Sequence, residues 1–334
     1  MATILITGGA GFIGYHLSNF LLTKEENTIV VAVDNLNNYY DVALKNARLG
    51  KLRSLNSKKY FFYHGDIEND KLLEIIFNKH GITHVINLAA QAGVRYSKLN
   101  PDVYISSNVQ GFYKLIKTSA NYKVKSFIYA SSSSVYGANT ALPFKETDRV
   151  GSPMSLYAAT KLANESMASA FYYTHNLPVI GLRFFNVYGS WGRPDMAYYV
   201  WTEALLRGKE LELRNSGEMW RDMTYVDDVI EAIIRLIKRD VISNKPEVFN
   251  VGNEKPVKII NVLDFLADRL EIKPLIINQP KGDEEPIKTW ADTTSLRSAI
   301  QYSPNTNYKV GLSEFLDWYN MWQFNYTKKH DSEN

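Results

Sequence analysis

Short apolar runs rich in β-branched residues recur through the first half of the chain. They lie at Thr3 to Thr7, Ile29 to Val33, Tyr60 to Tyr63, His84 to Leu88, Ser126 to Ala130 and Val179 to Phe184, and each reads as a buried strand. Between them the apolar spacing changes to that of helices. Ile13, Leu17, Phe20 and Leu21 share one helical face, and similar patterns run near Lys71 to Lys79, Pro101 to Asn121 and Ser155 to His175. Strands alternating with helices predict an α/β protein with a doubly wound parallel sheet, helices on both faces and ligands at the carboxyl ends of the strands. After about Arg183 the alternation gives way to loops rich in Trp, Tyr and Arg, with helical patterns at Val200 to Gly208, Val226 to Arg239, Val257 to Leu270 and Leu312 to Phe324. This half predicts a smaller, mostly helical C-terminal lobe. The expected division is 1–182 for the large domain, rejoined by part of 225–252, and 183–330 for the small one. Lys328 to Asn334 is polar and is expected to fray.

Composition narrows the partners. The 334 residues suffice for two lobes, since single cores stop growing near ~250 residues. With 38 basic and 35 acidic residues, the net charge of +3 is too small to call for nucleic acid or a membrane surface. There is no cysteine, which removes disulfides, thiolate metal ligands and cysteine nucleophiles together; no metal site is expected. No apolar run approaches the ~20 residues of a spanning helix. Gly8 and Gly9 interrupt the N-terminal apolar run, which no basic segment precedes, so a signal peptide is not expected. These points lead to the expectation of a soluble, cytoplasmic protein.

Gly8, Gly11 and Gly14 form a G-x-x-G-x-x-G turn between the first strand and the first helix. The glycines allow a tight turn, close approach of backbone to a pyrophosphate and close packing of helix on strand, with helix N-terminal amides facing the anion. Phe12 and Ile13 lie within that turn. Asp34 ends the second strand, where a carboxylate accepts both ribose hydroxyls and repels a 2′-phosphate, so the cofactor expected is NAD on a Rossmann-type sheet. Asp66 after the third strand and Leu88, Ala89 and Ala90 after the fourth are expected to flank adenine and pyrophosphate. Asn35, Ile67, Asn108, Tyr157 and Lys161 complete the expected cofactor set. Asp66 reads equally well as a loop cap.

Tyr157 and Lys161 stand four apart on one helical face. A phenol near pKa ~10 is a weak base at neutral pH, but an adjacent cation and a positively charged nicotinamide would stabilise its phenolate. Ser131 to Ser134 follow the fifth strand, where a hydroxyl can bond the substrate oxygen that loses a proton.

Together the glycine turn, the serine run and the Tyr157/Lys161 pair resemble the extended short-chain dehydrogenase/reductase family, specifically its nucleotide-sugar epimerases and dehydratases, over nearly the whole chain. The resemblance implies an enzyme with NAD in the larger lobe and a nucleotide sugar in the smaller. It assigns the catalytic hydroxyl to Ser132, beside Tyr157 and Lys161. Family dehydratases carry an Asp-Glu pair at the positions of Ser133 and Ser134, and decarboxylases carry Glu at the second; serine at both leaves reversible oxidation at C4, hence epimerisation. Ala90 to Ser97, Arg183 to Met196 and Asp34 to Asp41 resemble the UDP-glucuronate 4-epimerase branch. That implies Arg193, and less strongly Arg95, as the clamp on a uronate carboxylate; a 4-keto uronate is a β-keto acid prone to lose carbon dioxide.

Asn186 departs from the Thr usual in that branch and matches neutral-sugar epimerases and decarboxylases. This keeps open a 4-epimerase of a neutral or N-acetylated UDP-hexose and a UDP-glucuronate decarboxylase. Arg221 is implied as a diphosphate ligand and Asp283 as a ribose ligand, while Asp227 and Asp228 read as a helix N-terminus. A dinucleotide-binding sensor is the non-enzyme alternative. The resemblance also implies a homodimer through the helices of Pro101 to Asn121 and Ser155 to His175.

Overall fold

The computed structural model describes residues 2–55, 58–139, 141–239, 243–282 and 285–331, with side chains described through residue 323. The first half runs β1 (Ala2–Thr7), α1 (Phe12–Lys24), β2 (Thr28–Asp34), α2 (Val42–Leu55), β3 (Tyr60–His64), α3 (Asp70–His80), β4 (His84–Asn87), α4 (Tyr96–Leu99) and α5 (Pro101–Tyr104). A π-helical turn (Ile105–Gly111) joins α5 to α6 (Phe112–Asn121); β5 (Ser126–Ser132), α7 (Leu156–His175) and β6 (Val179–Phe184) follow. Then come β7 (Asn186–Tyr188), α8 (Ala197–Leu206), β8 (Glu210–Arg214), β9 (Trp220–Tyr225), α9 (Val226–Ile237) and β10 (Glu247–Val251). The chain ends with β11 (Pro256–Lys258), α10 (Ile259–Leu270), β12 (Leu275–Gln279), β13 (Lys288–Thr289), α11 (Thr294–Ile300) and α12 (Tyr308–Asp331).

Seven parallel strands pair in the order β10-β6-β5-β4-β1-β2-β3. The apolar runs are continuous because both faces of this sheet are covered. Ile4, Ile6, Val30 and Ala32 point into one core with Leu17 and Leu21 of α1 and the apolar face of α9. Leu5, Val31, Val33 and Val85 point into the other with α3 and α6. The strand order reverses between β1 and β4, which opens the crevice where doubly wound sheets bind ligands. After leaving the sheet at β6, the chain returns to it: α9 packs beside α1, and β10 pairs with β6.

The smaller lobe combines helices α8, α10 and α12 with two small sheets that the residue pattern does not predict. One holds β7, β9, β11 and β13, and the other pairs β8 with β12. Its aromatic residues, read as loop chemistry, are largely core: Tyr188, Tyr198, Tyr199, Trp201, Phe315 and Trp318 are buried. Three further differences are local. Helix α2 escapes the pattern because two of its buried residues are Lys45 and Arg48. The single helix expected over Pro101 to Asn121 is interrupted by the π turn. Helix α12 contains no proline, and its backbone stays helical through Asp331, within the stretch expected to fray.

Candidate active site

The β1–α1 turn is shaped by backbone crowding. Gly8 has φ +67°, and a Cβ there would lie 2.9 Å from the Ala89 nitrogen; one at Gly14 would lie 2.2 Å from the Gly8 carbonyl oxygen. Only glycine permits this approach. Helix α1 then starts at Phe12 with Gly11 as its N-cap and no side chain capping its amides, so the positive end of the helix faces the crevice uncovered. Asp34 closes β2, its carboxylate accepting from the Ala10 and Leu36 amides at 3.0 and 2.9 Å. Each oxygen keeps lone-pair capacity for a further donor. Asp66 accepts from Asn35 Nδ2 at 2.9 Å and from the Glu68 amide at 3.2 Å, so it is at once a loop cap and part of the wall. Thr7 Oγ1 accepts from the Ala89 amide at 3.1 Å and fixes the Leu88 to Ala90 turn.

A cleft of about 1100 Å³ joins this turn to the smaller lobe. Gly8, Gly11, Phe12, Ile13, Gly14, Asp34, Asn35, Asp66, Ile67, Leu88, Ala89 and Ala90 line one end. Ser132, Ser133, Ser134, Tyr157 and Lys161 line the middle, and Arg95, Asn186, Arg193 and Arg221 the other end. One expected residue among those described is not on this wall. Asn108 is buried beneath it: Oδ1 accepts from the Gln91 amide at 2.7 Å, while Nδ2 donates to the Gln91 carbonyl and to Thr160 Oγ1 at 3.0 and 3.1 Å. Those bonds engage both of its donors and one acceptor site, so Asn108 braces the turn after β4 against α7, and it is not among the residues lining the cleft. Asp283 lies outside the described residues.

The reacting groups meet where β5 and α7 converge. Ser155 caps α7 by accepting from the Ala158 amide at 3.1 Å, which places Tyr157 in the first turn. The middle of α7 is also tied down by Asn164, whose Nδ2 donates to the Asn108 carbonyl at 2.6 Å. Ser132 ends β5 and accepts from the Ser134 amide at 3.2 Å; its hydroxyl faces the Tyr157 phenol closely enough to lower the phenol's pKa. Lys161 is buried, donates to the Ala130 carbonyl at 2.8 Å and stands 5.9 Å from the Tyr157 ring centre. Burial pushes Lys161 down to about 8. Burial also pushes Tyr157 above its ordinary value, against the opposing pulls of the Ser132 hydrogen bond and the Arg193 charge. In the protein alone, desolvation outweighs the contributions of the Ser132 hydroxyl and the Arg193 charge, so the phenol is not ionised by its protein neighbours.

At the far end the arginines are already paired. Arg193 holds Asp195 through two bonds of 2.9 and 2.6 Å. Arg95 bonds Glu285, its Nε at 3.1 Å. Arg221 donates to the Trp220 carbonyl at 2.9 Å; burial lowers its pKa, with Glu285 raising it and Arg95 lowering it further. Arg95, Arg221 and Glu285 thus form one electrostatic cluster. Asp227 and Asp228 sit in the first turn of α9, and Asp228 also accepts from the Tyr302 hydroxyl and the Asn305 and Thr306 amides. Among the described residues no group of three or more acidic or imidazole side chains could hold a metal ion, and no helix is long and apolar enough to cross a membrane. Asp195 and Glu285 escape sequence reasoning. The only available signal was the short spacing from Arg193 to Asp195.

A doubly wound sheet with a glycine turn, a strand-end carboxylate and a Tyr-Lys-Ser cluster in one cleft defines a dinucleotide-dependent enzyme of sugar nucleotides. Residues 4–252 match the NAD dependent epimerase/dehydratase family, and the chain belongs to that family. It is 41% identical to protein CapI of Staphylococcus aureus across 95% of this chain and 98% of that one. It is 39% identical to UDP-glucuronate 4-epimerase 4 of Arabidopsis thaliana across 95% of this chain and 75% of that one. Its structure resembles the UDP-glucuronic acid 4-epimerase of Bacillus cereus in complex with UDP-glucuronic acid and NAD: TM-score 0.88, 31% identity, covering 96% of this chain and 99% of that chain.

Proposed function

We propose that the protein interconverts UDP-glucuronate and UDP-galacturonate through a transient 4-keto intermediate, using NAD that is regenerated in each cycle. One observation carries the choice of an acidic sugar. Arg193 lines the same cleft as Tyr157 and lies within electrostatic reach of its phenol, an arrangement that suits a sugar whose 4-hydroxyl meets Tyr157 and whose neighbouring carboxylate meets Arg193. Tyr157 takes the 4-hydroxyl proton, Ser132 bonds the same oxygen, and Lys161 holds positive charge behind the phenol. The glycine cradle, the uncapped start of α1 and the Asp34 carboxylate fit NAD, whose chemistry is to accept the hydride from C4 and return it to the opposite face. Ser133 and Ser134 supply neither acid nor base, which is why elimination of water does not follow. Arg95 and Arg221 bind the diphosphate, and Asp283 the ribose.

A second copy of the chain completes the assembly. Leu99, Ile105, Tyr113 and Tyr173 are 78%, 49%, 45% and 69% exposed on α4 to α7 and the π turn, and Tyr113 packs near Phe171 across two of these helices. Such an apolar face favours a partner; a monomer in sedimentation at micromolar concentration would contradict it.

Asn186, on the cleft wall, favours the second reading, a neutral or N-acetylated UDP-hexose. A panel of UDP-glucuronate, UDP-glucose and UDP-N-acetylglucosamine decides between them. The first reading requires the highest kcat/KM on UDP-glucuronate. A preference for a neutral sugar contradicts it, and UDP-pentose as the main product would indicate decarboxylation.

A further inference from the structure

Arg193 and Asp195 share the loop between β7 and α8. Asp195 takes both hydrogen bonds from one edge of the guanidinium, Nε to Oδ1 at 2.9 Å and Nη2 to Oδ2 at 2.6 Å. Among the described residues Nη1, on the opposite edge, has no hydrogen-bond partner. The pair is partly shielded, with side-chain exposures of 26% and 29%.

Asp195 is itself anchored from the cofactor side. The Tyr39 hydroxyl donates to Asp195 Oδ2 at 3.1 Å, and Tyr39 stands in the turn that follows Asp34. The Tyr39 ring packs edge-on against Tyr96 at 4.8 Å, and Tyr104 packs edge-on against Tyr157 at 6.2 Å. At Gly93, with φ +102°, a Cβ would fall 2.6 Å from the Tyr39 hydroxyl, so the backbone there makes room for this tyrosine. The loop in front of Arg193 is pinned too: Arg48 donates to the carbonyls of Trp191 and Gly192 at 2.5 and 3.2 Å and to that of Ala10, in the glycine turn, at 2.9 Å.

We propose that Asp195, held by Tyr39, is a positioning and specificity residue: it fixes one edge of Arg193 so that the opposite edge meets the carboxylate of an acidic sugar. The inference rests on the reading of Arg193 as the carboxylate clamp. A free arginine spreads over many rotamers, whereas a bidentate partner sets the plane of the guanidinium. Burial opposes ionisation of Asp195, but the Arg193 guanidinium more than offsets it and leaves the carboxyl below its ordinary value. The pair is net neutral, so what Asp195 gives the substrate is direction and not attraction. A loosely aimed clamp has a defined chemical cost. In the 4-keto uronate the C5–C6 bond can break, its electron pair moving into the enolate of the adjacent ketone; C5 then takes a proton and carbon dioxide leaves.

The test uses the full-length protein with NAD and compares wild type, Asp195→Asn and Tyr39→Phe. The readouts are kcat and KM on UDP-glucuronate, carbon dioxide release, and calorimetric Kd values for UDP-glucuronate and UDP-glucose. Misplacing a positioning group by ~1 Å can cost up to ~10²-fold, so we expect kcat to fall about tenfold or more in Asp195→Asn and about threefold in Tyr39→Phe. KM should not rise, carbon dioxide release per turnover should increase several-fold, and the Kd for UDP-glucose should stay unchanged. Tyr39→Phe removes one hydroxyl and keeps the ring packing, so it reports even if Asp195→Asn folds poorly. Unchanged kcat with no added carbon dioxide in both variants overturns the inference, as does equal weakening of both ligands. Wild type that makes no UDP-galacturonate overturns the functional reading and this inference with it; an active wild type with indistinguishable variants overturns the inference alone.

Discussion

At the glycine-turn end of the cleft the polar groups offered are mainly backbone atoms of the β1–α1 turn, held by glycines that admit no side chain, with the Asp34 carboxylate beside them. At the end lined by the smaller lobe they are arginine side chains, and two of the three are paired with carboxylates of the protein itself. The difference concerns where order comes from. The backbone cradle is fixed by the same packing that builds the sheet. The arginines must be aimed by other side chains, and their charges are balanced before any anionic ligand arrives. The first side should tolerate almost no substitution, and the second should respond to substitution by changes in selectivity and rate.

Tyr157, between the two sides, offers the largest effect. Tyr157→Phe removes the proton acceptor and should lower kcat by about 10²- to 10⁴-fold, the usual range for general-base catalysis. The melting temperature should not move, and retention of a tenth of wild-type activity would remove Tyr157 from this role. Gly14→Ala separates the sides more sharply. Its methyl would lie 2.2 Å from the Gly8 carbonyl oxygen, and overpacking of roughly 1–3 kcal/mol should weaken NAD binding about 10- to 100-fold. UDP binding, measured by calorimetry on the same variant, should be unchanged; equal loss of both ligands would mean that the two sides are not independent.

The smallest effect is on stability, at Lys161. Its pKa lies at about 8 against an ordinary 10.5, so between those values the unfolded chain holds a proton that the folded chain has released. Unfolding free energy therefore rises with pH in that window. Below about pH 8 folding carries the full cost of the buried charge, on the order of 3 kcal/mol by the usual conversion. Part of it is offset by the Ala130 hydrogen bond. Lys161→Met should be inactive yet at least as stable as wild type at pH 7, with its advantage shrinking toward pH 10. Urea unfolding at the two pH values checks this, and a less stable variant at pH 7 would contradict it.

The same contrast explains what could be read from the residues alone. The strands of the large sheet announce themselves as apolar runs, and the glycine turn as a motif, because backbone geometry restricts residue type locally. Tyr157 and Lys161 were legible for the same reason: four residues on a helix is a local spacing. Asn108, expected in the cofactor set, bonds Gln91 and Thr160, which are remote in sequence, and lies behind the cleft wall. The partners of Arg193 show the limit best. Asp195 is close in sequence, yet Tyr39, which anchors it from the loop after β2, is 156 residues away in the chain. The small sheets were missed because their strands are short and their partners distant: β9 lies between β11 and β13, and β7 also pairs with it.

The central claim is that this cleft carries out reversible oxidation at C4 of an acidic UDP-sugar and regenerates its NAD. Incubating the purified protein with UDP-glucuronate and a small, known amount of NAD, and following the products by NMR, tests it directly. The account predicts UDP-galacturonate in large molar excess over NAD, approaching one equilibrium ratio from either sugar. No UDP-galacturonate, or an amount limited to the NAD supplied, would contradict it.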